Sequence, residues 1–142
     1  MKVFLDASVI IAAFLSKTGG SAKILHLGKT GRVRLVTSET VIKEVRDNLK
    51  KVGRTQKQLI EFINDFPLVI RQQITTADIK PYQKKIDEKD AHVVAGAKLT
   101  SCQHLITLDK KHLLKSEIKD KFVPLQIVSP KEFLLEHVLD AK

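Results

Sequence analysis

Five short apolar runs recur along this 142-residue chain, at residues 3–5, 32–36, 68–70, 105–107 and 125–128, each separated from the next by segments with helical spacing. Most are continuous rather than alternating, the pattern of strands covered on both faces. Strands that alternate with helices predict a parallel sheet in an α/β fold. The intervening stretches carry start and stop signals. A helix is expected from Asp6 to about Leu15, and Ser21 can cap one bearing Ile24, Leu25 and Leu27. Ser38 caps a helix to about Val52, with Val41, Ile42, Val45 and Leu49 on one face. Thr55 starts another that Pro67 stops, and residues 75–86 read as short helical pieces and loop. Asp87 begins a helix to about Leu99, Asp109 opens a short one, and Ser129-Pro130 starts the last.

Length and composition narrow the class. A chain of 142 residues fits one domain, taken as residues 1–142, and 43% hydrophobic residues with six Gly and four Pro describe a globular chain. The single cysteine, Cys102, excludes an internal disulfide and a cysteine zinc site. The longest early apolar run, residues 9–15, is too short to span a bilayer. The expectation is a cytoplasmic protein with no membrane partner. Lys and Arg number 25 against 16 Asp and Glu, for a formal charge of +9. Residues 29–57 alone hold nine Lys/Arg against three acids, a net +6. A phosphate backbone is the natural partner of such a surface. Arg32, Arg34, Lys43, Arg46 and, further on, Lys110 are the candidate contacts, the plain alternative being a solvated face. Aromatics at 5% provide no base-stacking platform.

Against this basic background four acids are placed suggestively. Asp6 follows the first run directly, and Asp109 follows the fourth. Glu44 lies at the margin of its helix's apolar stripe, and Asp90 shares a face with Val94 and Ala97. Ligands of open parallel sheets bind beyond the carboxyl ends of the strands. Carboxylates gathered there repel one another unless a cation neutralises them, and a hard divalent ion beside a basic surface suits phosphodiester cleavage. Each acid alone has a structural reading. Asp6 and Asp109 can cap helices, Asp87 and Asp90 have capping-box spacing, and Glu44 can pair with Lys43 or Lys50. The five histidines show no pair at ligand spacing; His112 beside Asp109 could touch a phosphate, but a surface role is the expectation. No Gly-rich turn follows Leu5, which argues against a dinucleotide site. The third run leads into Arg71-Gln72, which argues against a phospho-accepting receiver domain.

Four segments carry a family resemblance: Val3-Phe4-Leu5-Asp6-Ala7-Ser8-Val9-Ile10, residues 37–45 ending in Glu44-Val45, Asp87-Glu88-Lys89-Asp90-Ala91-His92-Val93-Val94-Ala95, and Leu105-Ile106-Thr107-Leu108-Asp109 with Lys110-Lys111-His112-Leu113. In this order and at these separations the chain resembles the PIN-domain family of metal-dependent ribonucleases over essentially its whole length. The resemblance implies a three-layer α/β/α fold with a five-stranded parallel sheet in the order 3-2-1-4-5. It implies Asp6, Glu44, Asp90 and Asp109 as the metal-binding and catalytic set, with Mg²⁺ or Mn²⁺ as cofactor. Ser8 and Thr107 would support them, and Asp87 would stand behind Asp90. Hydrolysis of single-stranded RNA, leaving a 3′-hydroxyl and a 5′-phosphate, is the expected reaction. The Gly19-Gly20-Ser21-Ala22 turn resembles the toxin branch of toxin–antitoxin pairs, which implies a protein antitoxin and admits a homodimer. The alternative is a non-catalytic PIN-like module that binds nucleic acid within a complex.

Overall fold

Residues 1–139 are described by the structure, a computed structural model. Strand β1 (Lys2–Leu5) leads into α1 (Ala7–Leu15) and α2 (Gly20–Lys29), then β2 (Arg34–Ser38), α3 (Glu39–Lys51), α4 (Gln56–Asn64) and β3 (Leu68–Arg71). A short α5 (Thr76–Ile79) and a 3₁₀ turn (Lys80–Tyr82) precede α6 (Glu88–Leu99) and β4 (His104–Ile106). The chain continues through α7 (Ser116–Lys121), β5 (Gln126–Val128), α8 (Pro130–Leu134) and a π-helical turn (Leu135–Leu139).

The strands form one sheet in the order β3-β2-β1-β4-β5, all pairs parallel, in agreement with the order expected from the resemblance. Val3 pairs with Leu35 on one side and His104 on the other, so β1 is central. Winding goes outward from β1 to β3, then reverses across the sheet to β4. Right-handed crossovers therefore send α1–α4 to one face and α5–α7 to the other. Contacts follow that division: α1 packs on α2 and α3, α2 on α8, and α5 on α6. Val3, Phe4, Leu5, Leu35, Leu105 and Ile106 are fully buried between the layers. The reversal lies between β1 and β4, and their adjacent carboxyl ends open the crevice where such folds bind ligands. Helix α6 comes very close to the sheet there: a Cβ on Gly96 would meet Phe4 Cζ at 2.6 Å.

Several local expectations hold. Ser38 accepts from the Val41 amide, Thr55 and Ser129 each build a capping box, and Pro130 opens α8. Others shift. Gly19, not Ser21, is the N-cap of α2, and Ser21 is buried. The start of α2 is packed against α8, where Gly20 faces Pro130 and Leu134, a contact distant in sequence. Asp109 opens no helix: residues 110–114 are turns with a bend at Lys115, and α7 begins at Ser116. The Asp109 side chain accepts from the His112 amide at 3.2 Å, and buried Leu113 then draws the chain inward. The second strand begins at Arg34 rather than residue 32. Among the described residues no single helix is long and apolar enough to cross a membrane.

Candidate active site

Asp6 is the first residue past β1, and its amide still donates to Ile106 O, extending the β1–β4 ladder by one rung. Its Oδ1 accepts from the Ala7 amide at 2.8 Å, so it does cap α1. Its Oδ2 accepts from Thr107 Oγ1 at 2.7 Å and from Ser8 Oγ at 3.1 Å. Those hydroxyls in turn accept from the amides of Asp109 and Leu108, each at 3.1 Å. Asp6 is thereby locked to both strand ends at the reversal point. It is only 8% exposed. Burial raises its carboxyl above the ordinary 3.8, against the hydrogen bonds from Thr107, Ala7 and Ser8, while the Glu44 charge adds to the rise.

Asp90 stands in the first turn of α6. Its N-cap, Asp87, makes no side-chain cap bond, so the capping-box reading fails and the Asp90 carboxylate is left to the crevice. Burial, then the charge of Asp109, raises Asp90 above 3.8; His112 opposes this, and Asp6 and Asp87 add to it. Ligand atoms of Asp90, Asp109 and His112 all lie within 4.8 Å of one another. The His112 ring Nδ1 is 3.3 Å from Asp109 Oδ2. Across the crevice α3 presents Glu44, whose Oε1 is 2.5 Å from Nε2 of His92.

Asp6, Ser8, Glu44, Asp90 and Asp109 line a single open cleft of about 540 Å³, with Asn48 and Lys89 beside them. Four distant stretches of chain thus bring four acids together, and Thr107 and Ser8 hold one of them. None of the four pairs with Lys or Arg among the described residues; Glu44 and Asp109 instead meet the rings of His92 and His112. Asp87 is exposed and lines an adjoining hollow with Asp90 and His112. The candidate basic residues scatter. Lys110 follows Asp109 and is exposed, and Lys43 is exposed on α3 without lining the cleft. Arg46 lines a separate hollow between α3 and α4. Arg32 and Arg34 lie at the amino edge of the sheet, where Arg34 pairs with Lys2, opposite to the carboxyl edge that carries the acids. Sequence reasoning gave no site role to His92, Asn48 or Lys89 and expected a surface role for His112. The only signal for His112 was its spacing of three from Asp109 across a turn.

Chemically, a set of carboxylate oxygens suits a hard divalent ion, and the imidazole of His112 adds a nitrogen donor acceptable to Mn²⁺. The surroundings of Asp6 and Asp90 disfavour their charged forms, which a cation would relieve.

A family model described as PIN domain matches residues 2–111. Three solved structures share the fold. PAE2754 from Pyrobaculum aerophilum is 18% identical with a TM-score of 0.63, covering 100% of this chain and 97% of its own. VapBC2 from Rickettsia felis, bound to a DNA fragment from their promoter, is 16% identical with a TM-score of 0.66, covering 91% and 98%. VapC20 from Mycobacterium tuberculosis, a sarcin–ricin loop cleaving toxin, is 15% identical with a TM-score of 0.58, covering 87% and 98%. No curated protein sequence matches the chain.

Proposed function

The chain belongs to the PIN domain family, whose members are nucleases, and on that premise we propose that it is a Mg²⁺- or Mn²⁺-dependent endoribonuclease acting on single-stranded RNA. One observation carries the reading: Asp6, Glu44, Asp90 and Asp109 line one cleft at the carboxyl edge of a basic protein, and among the described residues no Lys or Arg forms an ion pair with any of them. Asp6, Asp90 and Asp109 would hold the ion, with Glu44 facing them. When bound, the ion supplies charge neutralisation at the phosphate and a lowered pKa for the attacking water. The remaining work belongs to the side chains. Ser8 and Thr107 keep the Asp6 carboxylate in one orientation through their hydroxyls. Glu44 orients the water for attack on phosphorus, and the P–O3′ bond breaks to leave a 5′-phosphate and a 3′-hydroxyl. Lys89 at the cleft edge and Lys110 beside Asp109 draw the RNA backbone in.

The likeness to VapC20 and VapBC2 extends the proposal to a cytoplasmic toxin restrained by a protein antitoxin, as a monomer or a homodimer. The decisive experiment incubates the protein with labelled single-stranded RNA and DNA in Mn²⁺, Mg²⁺ or EDTA. RNA should be cut only with metal, and Asp6→Asn should keep its circular dichroism spectrum yet lose cleavage. Undiminished cleavage by that variant, or cleavage in EDTA, sinks the reading. Metal binding without any cleavage would favour the non-cutting module instead.

A further inference from the structure

His92 is a costly residue in its position. It lies on α6 among Ala91, Val93, Val94 and Ala95, all buried, and is itself 6% exposed. Its Nδ1 is buried with no hydrogen-bond partner among the described residues. A buried polar atom left unpaired destabilises a fold, so an apolar side chain there would serve packing better. What His92 does make is one short contact, from Nε2 to Glu44 Oε1 at 2.5 Å, reaching 48 residues along the chain from α6 to α3. With Glu44 ionised, the ring tautomer that fits carries its proton on Nε2 and donates it.

We infer that His92 is the positioning residue for Glu44: its Nε2–H fixes one carboxylate oxygen so that the other faces the cleft that holds Asp6, Asp90 and Asp109. This rests on the nuclease reading above. Glu44 needs such a partner. Its side chain is 42% exposed, on a long flexible stem, whereas Asp6 is short and held by three hydrogen bonds. A carboxylate of that exposure with no fixed partner would sample several rotamers. Tying it to a buried ring removes that freedom before any ligand arrives. The choice of helix matters too. Asp90 and His92 are two residues apart on α6, so one helix supplies a ligand and also sets the bearing of the acid opposite. Displacement of α6 would disturb both together.

The test compares wild type with His92→Leu, His92→Gln and His92→Asn. Three readouts are used: melting temperature without metal, Mn²⁺ affinity by calorimetry, and RNA cleavage. Leu removes the unpaired nitrogen and the clamp. It should melt at or above wild type while losing affinity and turnover by about 10-fold or more, the usual scale for an outer partner of a ligand. Gln places an amide nitrogen where Nε2 was and should recover affinity to within about threefold of wild type, whereas the shorter Asn should not. Leu binding Mn²⁺ as tightly as wild type, or Gln binding no better than Asn, overturns the assignment. If Leu does not fold, the Gln and Asn pair decides alone. Wild type that neither binds Mn²⁺ nor cuts RNA would remove the nuclease reading, and this inference with it. Wild-type activity matched by His92→Leu would remove only the inference.

Discussion

At the scale of single residues, the cleft is a place where charge has been gathered against its own preference. Asp6 and Asp90 are both raised above 3.8, burial being the larger cause in each. A carboxyl raised in the fold binds its proton more tightly folded than unfolded. Its ionisation therefore weakens the fold as pH climbs from 3.8 through the raised value, and the full penalty is present above that window. Asp90→Asn should accordingly melt higher than wild type at pH 7 without metal, with the advantage shrinking as pH falls toward 4. Mn²⁺ at about 100 times its dissociation constant should add about 2.7 kcal/mol to wild-type stability and far less to the variant. Thermal unfolding at several pH values, with and without Mn²⁺, checks both. A pH-independent gap between the two proteins would show that charge is not the cause.

At the scale of elements, α6 does more than supply one acid. It carries Asp90 and His92, and it contacts β1, β2 and β4. Its approach to β1 depends on Gly96, where a Cβ would meet the Phe4 ring at 2.6 Å, too close without movement. Gly96→Ala should cost about 1–3 kcal/mol, the range for overpacking a dense core. It should also weaken Mn²⁺ binding, because the helix that shifts carries site residues. Adding Phe4→Leu to Gly96→Ala should return part of both losses, a coupling that a double-mutant cycle in denaturant measures. Strict additivity would mean that the contact does not set the helix position. The turns at 110–114 act differently, bringing His112 back to Asp109 by local bonding rather than by burial of a helix face.

At the scale of the whole molecule, part of the basic charge lies away from the acidic cleft, with Arg32 and Arg34 at the amino edge of the sheet. Arg34 and Ser38 are the two ends of β2, about 13 Å apart at ~3.3 Å per residue. The basic amino edge and the acidic carboxyl edge therefore belong to opposite sides of the sheet. RNA bound for cleavage should depend on Lys89 and Lys110, not on Arg32 and Arg34. Lys89→Ala and Lys110→Ala should raise KM by roughly 3–10-fold with little change in kcat, and each should lower the salt slope of binding by about 1. Arg32→Ala with Arg34→Ala should leave both constants within about twofold. Steady-state cleavage over a salt series separates the two cases. An equal loss on both edges would mean that the RNA wraps around the domain.

The features legible in the chain alone were local or strictly periodic. Strand positions followed, to within a residue or two, from short apolar runs, helix starts from Ser38, Thr55 and Ser129, and the order of acids along the chain from their place after those runs. The residues lining the cleft were legible because strand ends converge in any parallel sheet. Contacts made across sequence gaps leave no periodic trace, and these came only with the assembled fold. Ser21 lost its cap because α8 packs on the start of α2. Arg32 and Arg34 proved to be at the wrong edge for the cleft because strand direction, not nearness in sequence, sets which rim a residue occupies. His92 resembled a misfit on an apolar face until a partner 48 residues away came within 2.5 Å, since a hydrogen bond needs only proximity in space.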